Sequence, residues 1–110
     1  MPLLRVFALV FAFAATTLVD VRVFPIPWKP GSGDAAFDTP FVTFDRLPPA
    51  CEATVFTLRG QKVWKGVANA AGLLTWNGLN ESGRVVGSGT YLVLFNGGGT
   101  KTTRRVVVVR

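Results

Sequence analysis

Six carboxylates, one thiol and no imidazole bound the chemistry open to this chain. Without histidine there is no His-based acid–base catalysis, no Ser-His-Asp triad and no His metal site. Cys51 is the single cysteine, so neither an internal disulfide nor a thiolate zinc site can form. It reads as a small half-buried side chain beside a turn, with a reactive thiol or an intermolecular link as the sharper reading. Asp20, Asp34, Asp38, Asp45, Glu52 and Glu81 are scattered, whereas glycoside hydrolysis needs two carboxyl groups facing across a cleft. Asn77, Asn80 and Glu81 could offer oxygens to calcium, but their plainer role is to bond the backbone of a turn. Asn80-Glu81-Ser82 also matches a glycosylation sequon, a motif common by chance. Gly97-Gly98-Gly99 lacks the Lys-Ser/Thr pair and the helix of a phosphate loop. Trp28, Trp64 and Trp76 could line a sugar-binding platform or pack between sheets. Tyr91 reads as a packed strand residue whose hydroxyl finds a backbone partner. The expectation is a noncatalytic chain with no cofactor and no metal.

The elements that hold these residues are strands. Leu18 to Phe24 alternates Val19, Val21 and Val23 against Asp20, Arg22 and Phe24, the period of a strand with one apolar face. Pro25, Pro27 and Pro30 end it and suit a sheet edge or an extended crossing between sheets. Gly31-Ser32-Gly33-Asp34 is a loop that continues irregularly through residue 38. Thr39 to Leu47 contains the second strand, Phe41-Val42-Thr43-Phe44, and Pro48-Pro49 breaks it. Glu52 to Leu58 and Gln61 to Val67 form a hairpin around Arg59-Gly60. After a loop at Asn69 to Gly72, Leu73 to Trp76 is a short fifth strand. Asn77-Gly78 and Asn80-Glu81-Ser82-Gly83 supply turn chemistry, with Gly83 expected at positive φ, and Gly87-Ser88-Gly89 repeats the device. Gly89 to Asn96 is the sixth strand, and Thr100 to Arg110 the seventh, after a Gly97–Gly99 hairpin loop. Seven short strands with turn signals between them, and no sustained helical periodicity after residue 20, predict an antiparallel β-sandwich. The run Val106 to Val109 must be buried on both faces or lie along an edge, where it could pair with another chain.

At 110 residues the chain is one domain at most, and 49% hydrophobic content with nine Phe and three Trp suffices for one core. Its net charge of +6 could favour anionic surfaces such as lipopolysaccharide, phospholipid heads or nucleic acid. The basic residues are spread along the chain, as on a solvated sheet face, apart from Lys101, Arg104, Arg105 and Arg110. No nucleic-acid partner is expected. Residues 1–14 have the pattern of a signal peptide: one charge at Arg5, a continuous apolar run from Val6 to Phe13, and Ala12-Phe13-Ala14 as a small-x-small cleavage site. No lipobox cysteine follows. The folded domain would then be residues 15–110, and membrane contact would occur only through this segment if it stays uncleaved.

One stretch carries a family resemblance. Trp76-Asn77-Gly78-Leu79-Asn80-Glu81-Ser82-Gly83-Arg84-Val85-Val86-Gly87-Ser88-Gly89-Thr90-Tyr91 resembles the W-D-G-x-[ND]-x-x-G-x-x-[VA]-x-S-G-x-Y core of bacterial Ig-like sandwich domains. These domains occur in flagellar hook-assembly proteins and as C-terminal sorting domains of type IX secretion cargo. Val23-Phe24-Pro25-Ile26-Pro27-Trp28-Lys29-Pro30 looks like that family's opening V-x-P-N-P-F-x-P. Val55 to Val63, with Gly60 at its turn, looks like its hairpin, and Lys101 to Arg110 like its closing strand. Ile26 stands where the family usually has Asn, and Asn77 where it usually has Asp, which leaves the sorting subtype open. Pro25, Pro27, Gly60, Trp76, Asn77, Gly78, Gly83, Gly89 and Tyr91 are the structural signature.

The resemblance implies an exported, noncatalytic domain of the sorting or cell-surface attachment type, located in the periplasm, at the surface or outside. It would be read by secretion or attachment machinery or by a cargo domain, with Lys101, Arg104, Arg105 and Arg110 as candidate contacts. The alternatives are a structural interaction domain similar to the Ig-like part of hook-assembly proteins, or a small carbohydrate-binding module using the tryptophans. Buried tryptophans would remove the last.

Overall fold

The computed structural model describes Leu18 and residues 20–110. The expected signal peptide, 1–14, lies outside the described residues. Seven strands follow in order: β1 (Arg22–Phe24), β2 (Val42–Asp45), β3 (Glu52–Thr57), β4 (Lys62–Val67), β5 (Leu74–Trp76), β6 (Gly89–Gly97) and β7 (Thr100–Val108). They form two sheets, β1-β2-β5 and β4-β3-β6-β7, with every neighbouring pair antiparallel. The chain crosses between sheets after β2, β4 and β5, giving an Ig-like sandwich. It differs from an immunoglobulin constant domain in that the fourth strand joins the second sheet.

Period-two patterning builds the core. Val42 and Phe44 of β2 face Ala53 and Val55 of β3, Val93 and Phe95 of β6, and Val106 and Val108 of β7, all essentially without exposure. Phe44 meets Phe95 edge to face at 5.4 Å, joining the two sheets at their centre. Trp28 and Trp76 lie at one end of this core, 6.4 Å apart between ring centroids. Each such side chain contributes about 1.5–3 kcal/mol by leaving water, and an aromatic pair about 0.5–1.5 kcal/mol more.

The turns follow their residue chemistry. Leu58-Arg59-Gly60 closes the β3–β4 hairpin, with the amides of Gly60 and Gln61 donating to the Thr57 carbonyl and hydroxyl. Gly98-Gly99 forms a two-residue loop between paired Gly97 and Thr100, both central residues having positive φ, as the twist-matched hairpin turn requires.

Several expected strands are shorter. The first begins at Arg22, because β2 offers partners only from Asp45 to Thr43, while Leu18 and Val21 are buried outside the ladder. Its alternation holds: Val23 is half-buried and Arg22 and Phe24 are exposed. The second, expected at Phe41 to Phe44, runs one residue later, from Val42 to Asp45. Pro40 precedes it, the Thr39 carbonyl is used by the Trp28 indole, and Arg46 turns the chain with φ 58°. The seventh stops at Val108, two residues early. Cys51 is fully buried rather than half-buried, and burial pushes its thiol pKa up. That environment leaves it unsuited to the reactive or intermolecular roles.

Candidate functional site

The signature stretch is a self-bonded corner. The Trp76 indole N–H donates to the Leu79 carbonyl at 2.9 Å. Asn77 Oδ1 accepts from the Leu79 amide at 3.3 Å, and Asn80 Oδ1 accepts from Ser82 and Arg84 at 2.9 and 3.0 Å. Leu79 and Val85 pair as a one-bridge arm, and Gly83, at φ 79°, closes the turn by donating to the Asn80 carbonyl. Glu81 reaches away to Lys62 at 3.0 Å. The oxygens considered for calcium are thus engaged in the turn or in this ion pair. Gly78 is fixed twice over: its φ is 78°, and a Cβ there would meet the Trp28 ring at 2.7 Å and the Arg110 guanidinium at 3.0 Å. Gly89 opens β6 opposite Val108. The Tyr91 hydroxyl donates to the Gly87 carbonyl at 2.8 Å, four residues upstream at the start of β6, which is the tyrosine corner of Ig-type sandwiches.

The tryptophans form no platform. Trp28 and Trp76 are each 1% exposed, and half-buried Trp64 stacks on Trp76 at 6.1 Å. Burial removes the sugar-binding reading, since a platform needs open ring faces.

The basic residues of the last strand divide by position. Inward and outward faces alternate along β7, with Val106 and Val108 inward. Arg104 is therefore on the inward side at the lip between the sheets, and Arg105 is on the outward side. Lys101 is exposed beside the β6–β7 turn, paired with Asn96. Arg110 belongs to the other end. Its amide donates to Ser88 Oγ at 2.8 Å, its Nε donates to the Val86 carbonyl at 2.7 Å, and its guanidinium lies over Trp28 at 5.6 Å. It acts as a strut between the end of the strand and the signature corner.

Arg104 and Arg105 converge with Val23, Ile26 and Val107 on a groove of about 300 Å3 where the edge of β1 meets the edge of β7. Pro25 and Pro27 create it. They carry the chain out of β1 and across to β7, where Trp28 forms a parallel bridge with Val108: its amide donates to Val107 at 2.8 Å and its carbonyl accepts from Val109 at 2.9 Å. Ile26, between the prolines, is 48% exposed. Because Val107 and Val109 turn their backbone groups to Trp28, alternation turns those of Lys101, Thr103 and Arg105 to the same side. Among the described residues, no backbone group pairs with them there. Charge reinforces the site. The ion pairs among the described residues join Arg22 to Asp45, Lys62 to Glu81 and Lys65 to Glu52, so Lys101, Arg104 and Arg105 have no carboxylate partner there.

Sequence reasoning marked the arginines but missed the apolar lining. The available signal was Ile26, a large apolar residue held between two prolines, where neither sheet can cover it.

This geometry defines the class: a seven-stranded Ig-like sandwich with one open, basic edge. No family model matches the sequence, and no curated protein matches it either. A solved structure with the same fold is that of PorZ from Porphyromonas gingivalis, described as an essential bacterial surface component of the type IX secretion system. The TM-score is 0.68 at 24% identity, over 88% of this chain and 12% of PorZ. The chain thus spans about an eighth of the length of that PorZ chain.

Proposed function

We infer that this chain is a noncatalytic, secretion-associated Ig-like domain of the sorting or surface-attachment type. It acts at the periplasmic or outer face of a bacterial cell by binding a protein. The observation that supports the reading best is the fold likeness to PorZ, a surface component of a secretion system, over 88% of the chain. The open β7 edge adds a surface for a partner. In this reading the signature corner keeps the sandwich rigid, and the groove side faces the machinery or the cargo.

The test is an export assay. Residues 15–110 are fused to the C-terminus of a periplasmic reporter in a bacterium that has type IX secretion, and the cells are fractionated. Reporter at the surface or in the medium, and retained in the periplasm after Arg104→Glu with Arg105→Glu, is the expected result. A folded reporter that remains periplasmic without those changes overturns the sorting role. The structural interaction domain, similar to the Ig-like part of hook-assembly proteins, then becomes the better reading, because it needs the same open edge and no export signal.

A further inference from the structure

We propose that the β7 edge from Lys101 to Arg105 takes an extended acidic segment of a partner protein as an added strand, with Arg104 as the latch that admits it. The proposal rests on the preceding reading only in placing the partner on the β7 side.

Three observations converge on it. The backbone groups of Lys101, Thr103 and Arg105 face outward without backbone partners among the described residues, which is the template for strand addition. The neighbouring groove, lined by Val23, Ile26 and Val107, offers an apolar seat for one side chain of the incoming strand. The third is the guard on the edge. Arg104 Nη1 donates to the Thr103 carbonyl at 3.0 Å and to Thr102 Oγ1 at 3.0 Å. One outward acceptor is thus already held by the chain's own guanidinium. A carboxylate on the incoming strand draws that guanidinium into an ion pair and frees the Thr103 carbonyl for the new ladder.

Charge selects the occupant. A second copy of this edge would set Lys101, Arg104 and Arg105 against their equivalents, and like charges across a strand pair repel. Residues 1–17 contain no Asp or Glu and carry a further cation at Arg5, so the chain's own leading segment does not complement the site. Charge on an edge strand ordinarily serves to prevent pairing. Here it prevents pairing with basic or neutral strands and leaves acidic ones free to bind.

The experiment uses the full chain and a capped ten-residue peptide of alternating Val and Glu, beside its Val/Gln counterpart. Affinity is read by titration calorimetry and the site by amide hydrogen exchange. The acidic peptide should bind about tenfold more tightly than the Gln peptide, an advantage that falls as salt rises and is lost in the Arg104→Gln, Arg105→Gln double variant. Exchange at Thr103 and Arg105 should slow when the acidic peptide is bound. Thr103→Pro supplies the decisive arm. It removes an outward N–H that makes no bond to β6, keeps every charge, and should abolish binding while the protein stays folded. Equal affinity for the two peptides would overturn the proposal. So would binding that survives Thr103→Pro, or slowed exchange on β4 instead of β7. Binding to anionic phosphatidylglycerol vesicles but not to the acidic peptide would also overturn it, in favour of a plain electrostatic surface. If peptide binding fails while the reporter fusion is exported, this inference falls and the secretion reading stands.

Discussion

The two long sides of the sandwich meet the same problem in opposite ways. On the β4–β5 side the gap between the two sheets is filled by aromatic packing. Trp64 lies flat over Gly66, stacks on Trp76, and has Leu74 of β5 beside it. The Glu81 amide donates to the Val63 carbonyl, so the signature corner also covers part of the β4 edge. On the β1–β7 side Trp28 is the one bridge to β7 among the described residues, and beyond it the edge is guarded by arginines over a groove. Aromatic packing closes one side permanently. Charge closes the other conditionally, and a conditional closure is what a binding surface needs.

Substitutions on the sealed side should therefore cost stability. The largest loss is expected from Trp76→Ala, because this ring touches Trp28, Trp64 and Tyr91 at once. About 3–5 kcal/mol should disappear from the urea unfolding free energy, comparable to the total of many small domains. Gly66→Ala comes next. A Cβ there would overlap the Trp64 ring and stand 3.1 Å from Leu74 Cδ1, so Trp64 must lift off, at about 1–3 kcal/mol. Indole fluorescence should shift to the red in the same variant as Trp64 meets water. If Gly66→Ala leaves both fluorescence and unfolding midpoint unchanged, the sealed side has been misjudged. Tyr91→Phe keeps the ring against Trp76 and removes only the bond to Gly87; about 0.5–1.5 kcal/mol should be lost in the same assay.

The smallest effect belongs to the loop that follows Trp28 and appears only in acid. The amides of Gly33 and Gly31 donate to the Asp38 carboxylate and hold its pKa below the ordinary value. A carboxyl whose folded pKa is depressed adds stability above its unfolded pKa of about 4, and that stability is lost as pH falls through the folded value. Protection factors at Gly31 and Gly33, taken relative to the intrinsic exchange rate at each pH, should therefore fall below about pH 4, while those around Trp64 hold, and Asp38→Asn should remove this pH dependence. An equal acid-induced loss of protection at this loop and around Trp64 would erase the distinction between them.

Much of this architecture was legible in the residues. The hairpin turn at Gly60, the corner from Trp76 to Tyr91 and the run from Val106 to Val109 were readable because turn chemistry and period-two alternation are local. The Tyr91 bond to the backbone and the Asn77 and Asn80 side-chain bonds came from the same local rules. What stayed hidden depends on which strands become neighbours. Nothing in Lys62 to Val67 says that the β3–β4 hairpin joins β6 and β7 rather than β2 and β5, or that Gly66 exists to make room for the ring two residues before it. Lys101, Arg104, Arg105 and Arg110 read as one basic cluster along the sequence. In the fold, alternation places Arg104 and Arg105 on opposite faces, and the strand's end takes Arg110 away to Trp28. The groove was invisible for the same reason, since Val23 and Ile26 meet Val107 only through the crossing at Pro25 and Pro27.

The bridge between Trp28 and β7 also sets an order of events for a chain that emerges from one end. Trp28 is made long before its backbone partners, Val107 and Val109, and before the core residues Val106 and Val108. The larger sheet cannot be completed, nor Trp28 anchored, until those residues are free. The stretch from Trp28 to Val109 must therefore pass a ribosome or a translocation pore before the sandwich can lock, and such distant pairings make folding slow. A chain of this design remains threadable for as long as it is being delivered and becomes rigid only on arrival.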